Sequence, residues 1–174
     1  MGIFILGMSA SAINLFENGQ IQILIGTKSL LGEGWDAPAI NSLVLASFVG
    51  SYVLSNQMRG RAIRKLSTND FKTGNIWHLV CVDLGETNGG ADIELLKRRF
   101  RAFVGVSYSR EPSIENGVDR LEIPSHLATK EEVKSFNQQV FKRARNREEM
   151  RKAWIEALQN GNTLIEEIKV PFPE

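Results

Sequence analysis

A single cysteine among 174 residues excludes an intramolecular disulfide and any metal site built from several thiolates. That scarcity fits a reducing cytoplasm, where thiols stay unpaired. Cys81 stands inside the apolar run IWHLVCVD and is expected as a core thiol. Histidine is nearly as rare: His78 and His126 are the whole complement, and neither has a sequence neighbour that completes a metal or catalytic set. No stretch reaches the roughly 18 apolar residues of a membrane span, so no membrane role is expected. The opening MGIFILGMSASA imitates a secretion signal, with Ala10-Ser11-Ala12 as its small-residue site. It lacks a basic n-region, and Ile3 to Leu6 is too short an apolar run. Excess charge is missing too, because a net charge of +1 argues neither for nor against a polyanionic partner. Also absent is a phosphate loop. Gly26-Thr27-Lys28-Ser29 matches only the end of the pattern G-x-x-x-x-G-K-S/T, which needs glycine where Thr27 stands.

What is present is an ordinary globular balance, 43% hydrophobic and 24% charged, in a length that suits one domain with or without an appendage. The charge is unevenly laid out. Residues 1–50 hold one basic side chain, Lys28, against Glu17, Glu33 and Asp36. Basic clusters follow at Arg59 to Lys65, Lys97 to Arg101 and Lys142 to Lys152.

Residues 3–6 are apolar, either a strand or simply a start, and Ser9 to Asn18 reads as a short helix stopped by Asn18-Gly19. The β-branched run Ile21 to Ile25 predicts a strand buried in a parallel sheet. Leu43 to Ala46 is a second strand, Tyr52 to Arg64 a helix, and Ile76 to Val82 a third strand. Alternation of this kind argues for an α/β domain with a parallel sheet, whose ligands sit at the carboxyl ends of the strands. Beyond Asp83 the pattern changes to a turn-rich Gly85 to Gly90 and a basic helix, Asp92 to Phe103, with Leu95, Leu96, Phe100 and Phe103 apolar. Residues 104–128 form a linker or a strand pair. Thr129-Lys-Glu-Glu has the form of a capping box and opens one long helix to about Asn160. Its apolar stripe runs through Val133, Phe136, Val140, Ala144, Trp154 and Leu158.

Two stretches carry chemistry. On the helix ending at Arg64, Gln57 and Arg61 are four apart, as are Gly60 and Arg64, so the four share one face. The bland alternative is a solvated basic helix. Against it stands Gly60, since a mid-helix glycine costs about 1 kcal/mol relative to alanine unless a ligand or backbone must come close. Two neighbouring guanidiniums also repel, unless an anion such as a triphosphate lies between them. Upstream, Thr27 offers a hydroxyl and an N–H to a phosphate, while Gly32 and Gly34 permit a tight turn. Asp36 is suited to a ribose hydroxyl or to bracing an arginine, though Asp36-Ala37-Pro38 also reads as turn chemistry. Trp35 reads first as core packing, with base stacking as the other option.

Together, Gly26-Thr27 through Gly34-Trp35-Asp36 resembles motif V of superfamily 2 helicases and translocases. Gln57-Met58-Arg59-Gly60-Arg61-Ala62-Ile63-Arg64 resembles their motif VI, Q-x-x-G-R-x-x-R. The nearest flavour is the DEAD/DEAH-type group that includes type III restriction subunits and related DNA translocases. The resemblance covers about residues 9–84, and Thr27 to Asp36 is one residue longer than the usual T-x-x-x-x-x-G-x-D. It implies a partial RecA-like parallel sheet flanked by helices over residues 1–84. A loop, basic helix and linker follow over 85–128, and a mostly helical extension over 129–174. It also implies a bipartite ATPase in which a phosphate-loop-bearing RecA-like domain of the same parent protein holds most of the ATP and Mg²⁺. On that likeness Arg61 and Arg64 are arginine fingers, and Gln57 positions the nucleotide or the attacking water. Gly34, Asp36 and Gly60 line the nucleotide, and Thr27 touches the nucleic-acid backbone, DNA in preference to RNA. This chain, lacking the phosphate loop, is expected not to hydrolyse ATP alone.

The basic helix residues Lys97, Arg98 and Arg99, with the cluster in 130–152, are candidates for sequence-independent phosphate contacts. A solvated face is the plain alternative for each. The competing functional reading is a non-catalytic nucleic-acid-binding or interaction module.

Overall fold

The computed structural model describes residues 3–5, 10–27, 37–46, 52–108, 112–125 and 127–160. The chain divides into two compact units, Met1–Leu79 and Val80–Glu174.

In the first unit, β1 (Ile3–Ile5) pairs in parallel with β2 (Ile23–Ile25), and α1 (Ala10–Glu17) lies between them in sequence. Helix α1 stops because Gly19 adopts φ 72°, a left-handed conformation that is nearly free of strain only for glycine. The Gly19 N–H then reaches the Phe16 carbonyl at 3.0 Å and Gln20 reaches that of Leu15 at 2.9 Å, the paired bonds of a Schellman ending. A second parallel pair, β3 (Ser42–Leu45) with β4 (Asn75–His78), is linked through α2 (Tyr52–Ile63). Met58 and Ala62, four apart on α2, are buried apolar positions that hold it against the sheet. Met58 packs with Leu45, and Ala62 with Ala37 and Ile40. Leu43 and Ile76 touch both groups, and Phe16 of α1 joins the second.

Three expectations for the strands and for Cys81 change. The β2 strand is not buried: Ile23 is 37% and Ile25 50% exposed, since β1 is its one hydrogen-bonded neighbour among the described residues. Strand β4 ends at His78 rather than at Val82. Cys81, beyond it, is therefore exposed and not a core thiol. Its backbone N–H is held instead by the Asp92 carboxylate, at 3.1 Å.

The second unit begins its regular structure with α3 (Ala91–Phe100), which buries Ile93, Leu96 and Phe100. Leu96, Phe100 and Phe103 form a core with Val80, Ala102, Val118, Leu121 and Ile123 around them. The two phenylalanine rings meet edge to face at 5.7 Å. The C-terminal carbonyls of α3 are satisfied from a distance: Asn116 Nδ2 donates to Arg101 O at 3.1 Å and the Gly117 N–H to Phe100 O at 2.8 Å. Residues 104–128 supply the strand pair, β5 (Gly105–Val106) antiparallel to β6 (Ile114–Glu115), and a 3-10 turn at Asp119–Leu121.

The expected long helix is two helices, α4 (Lys130–Arg145) and α5 (Arg147–Asn160). The capping box at Thr129 is complete: its hydroxyl accepts from the Glu132 N–H at 3.2 Å, and the Glu132 carboxylate accepts from the Thr129 N–H at 3.0 Å. The break at Asn146 shifts the buried face of α5. Ala157, with Ala153 beside it, packs on Val106 and Ile114, while Trp154 and Leu158 are left exposed. Among the described residues the chain is thus a mixed α/β protein, with five α-helices and three two-stranded sheets. No described helix is long and apolar enough to cross a membrane.

Candidate functional site

The site is built on the β3–α2–β4 segment. Helix α2 ends at Ile63, so Arg64 falls just past it and not on its last turn as the spacing implied. The polar positions of the motif are divided by burial. Gln57 and Arg64 are exposed, Gly60 is half-buried, and Arg61 is buried at 8% exposure. A β-carbon added at Gly60 would have no heavy atom within 4 Å, so the space over this glycine is open. The opposite holds at Gly74, where an added β-carbon would collide with the Ala62 carbonyl oxygen. The chain entering β4 therefore passes directly against the end of α2. Asn75 is fixed there by its N–H bond to Asn41 O at 3.0 Å.

Two basic residues near this end were not singled out by the motif. The Lys72 ammonium donates to the Arg64 carbonyl at 2.7 Å, and its partial burial pulls it below the ordinary lysine range. Arg59 Nη1 donates to Asn56 Oδ1 at 3.3 Å. Neither was legible as a site residue. Lys72 lies eight positions from its partner, outside any helical spacing, and Arg59 occupies a variable position of the motif.

Thr27 is exposed, two residues past the carboxyl end of β2 and thus on a different strand pair from α2. It stands at a carboxyl end of its strand, whereas Arg61 and Arg64 lie where the chain turns back to enter β4. Gly34 and Asp36, with Trp35 and Gly32, lie outside the described residues. Lys97, Arg98 and Arg99 belong to the other unit. Lys97 is paired with Glu94 at 2.8 Å, Arg98 is exposed, and burial pulls Arg99 below its ordinary value.

Gln57 and Arg64 are both exposed, an amide and a cation, which are side-chain types that pair with anionic groups such as phosphate. Among the described residues no group of three or more His, Cys, Asp or Glu is placed to hold a metal ion. The chain matches no protein-family model, no curated protein and no solved structure.

Proposed function

We propose that this chain is the C-terminal, second RecA-like half of an ATP-dependent nucleic-acid helicase or translocase. In that reading it supplies motifs V and VI to a site completed by a phosphate-loop domain, which carries the metal. The observation that supports it most is the way the Gln57–Arg64 segment divides on α2. Met58 and Ala62 are spent on packing, while Gln57 and Arg64 are exposed and the space over Gly60 is open.

Bound ATP would supply the phosphoryl group to be transferred. Arg64, beside the Lys72 ammonium, adds fixed positive charge where the transition state spreads negative charge over phosphoryl oxygens. The Gln57 amide, able to donate and accept at once, suits the placing of water or nucleotide. Buried Arg61 acts from inside the unit, its charge already desolvated and so less screened. Thr27 contacts the nucleic-acid backbone through its hydroxyl.

The test joins this chain to a RecA-like domain that bears a phosphate loop and measures DNA-stimulated ATP turnover. The chain alone is expected to be inactive and the joined protein active. Arg64→Ala should lower turnover by about 10³–10⁵, with an unchanged thermal midpoint because the side chain is exposed. Arg61→Ala should do the same, but burial requires its melt to be recorded alongside. Undiminished turnover in both variants would overturn the assignment.

A further inference from the structure

Helix α4 has one face turned to the body of its unit and one turned away. Val133, Phe136, Val140, Arg143 and Ala144 are the half-buried positions. Arg143 fastens this face: its guanidinium lies 4.4 Å over the Tyr108 ring, pairs with Glu122 at 2.5 Å and reaches the Leu121 carbonyl at 3.4 Å. Beside that face, on the solvent side of the helix, Lys130, Lys134, Asn137, Gln138, Phe141 and Arg145 recur at helical spacing, and all are exposed. This stripe contains three cations and no carboxylate. Glu131 borders it at its N-terminal end, and Glu132 is consumed by the capping box. At 1.5 Å per residue the stripe runs about 22 Å. Phe141, 54% exposed, sits within it between Lys134 and Arg145.

We propose that this face of α4 is a contact surface for single-stranded nucleic acid. Its cations meet successive phosphates, Asn137 and Gln138 hydrogen-bond backbone oxygens, and Phe141 receives an unstacked base. Charge complementarity selects a polyanion. The aromatic among the cations selects a single strand, because bases in a duplex are stacked on each other and offer no face to Phe141. One exposed phenylalanine is too little apolar surface to seat the helix in a membrane interface, which takes a continuous apolar face. The surface belongs to the second unit and does not depend on the ATP-site proposal.

The experiment follows the fluorescence anisotropy of a labelled oligothymidylate of about 16 nucleotides as the full chain is added without ATP, against a duplex of equal length. Binding should weaken with salt, with a slope near −2 in log K against log salt, since each single-strand phosphate contributes about −0.7. Lys134→Glu with Arg145→Glu should abolish binding. Phe141→Ala should weaken single-strand binding roughly 5- to 150-fold and leave duplex binding unchanged. All three side chains are exposed, and circular dichroism of each variant checks the fold. Undiminished binding by the charge-reversed variant, no binding at low salt, or equal loss on duplex and single strand with Phe141→Ala each overturns the proposal. So does displacement by polyglutamate as effective as displacement by unlabelled oligonucleotide.

Discussion

Two glycines, Gly60 within the motif helix and Gly74 beyond its end, make opposite demands on the chain. At Gly74 the Ala62 carbonyl occupies the place a β-carbon would take, and backbone cannot swing aside as a flexible side chain can. Gly74→Ala should therefore separate α2 from the entry to β4 and destabilise the unit by about 1–3 kcal/mol, seen as a lowered urea midpoint. Gly60 has open space and a helical position, so Gly60→Ala removes backbone entropy from the unfolded chain without a clash. It should raise stability by about 1 kcal/mol. If the glycine is there to let a phosphate approach, the same variant lowers ATP turnover in the joined protein while stabilising the fold. A variant that is stabilised and fully active would mean that nothing approaches at Gly60. Arg64 falls past the helix end, but for Gln57, Gly60 and Arg61 the helical setting was readable from spacing alone. The burial of Arg61 was not, because helical periodicity places a side chain on a face but does not say how deep that face sits.

Among the elements, the break between α4 and α5 shows where periodicity misleads. An apolar position every three or four residues continues through 129–160, and it reads as one helix if caps are ignored. Asn146 ends α4 with ψ 71°, its N–H bonding Arg143 O at 3.2 Å. Its side chain then opens α5, with Oδ1 accepting from the Glu149 N–H at 3.4 Å and Nδ2 bonding the Glu149 carboxylate. Asn146-Arg-Glu-Glu repeats the cap-x-x-Glu form of Thr129-Lys-Glu-Glu, so the signal was in the sequence and was outweighed by the apolar stripe. Asn146→Ala should cost about 1 kcal/mol, and Thr129→Ala a similar amount; unshifted thermal midpoints would show that neither cap is used. The strands were found at nearly their observed places, since β-branched apolar runs between turn residues mark them locally. Their exposure could not be read, because burial of a strand depends on neighbours that lie far away in sequence. Cys81 fails for the same reason. An apolar run implied a core strand, but β4 stops three residues before it.

For the molecule as a whole, the apolar clusters fall cleanly into two sets. Those of the first unit draw on residues up to Ile76, and those of the second on residues from Val80 onward. No cluster among the described residues mixes them. Phe100→Ala takes a ring from the contact with Phe103 and from beneath the Arg120 guanidinium, 5.3 Å from its centroid. Burial lowers Arg120 below its ordinary value, with Tyr108 and Glu115 opposing this, and loss of the ring removes the π-face beneath its guanidinium. The substitution should cost about 3–5 kcal/mol, a large share of the 5–15 kcal/mol that stabilises a typical domain. Amide exchange gives the decisive comparison, because it resolves stability by segment. Protection should fall across 91–100 and 130–160, while the amides of 42–45, 55–63 and 75–78 keep their rates. A parallel loss in both sets would mean one cooperative block. Separate losses would mean that a phosphate-contacting face on α4 and a motif helix on α2 can each be altered without unfolding the other. Under that condition, the Lys134, Arg145 and Phe141 variants report on strand binding alone.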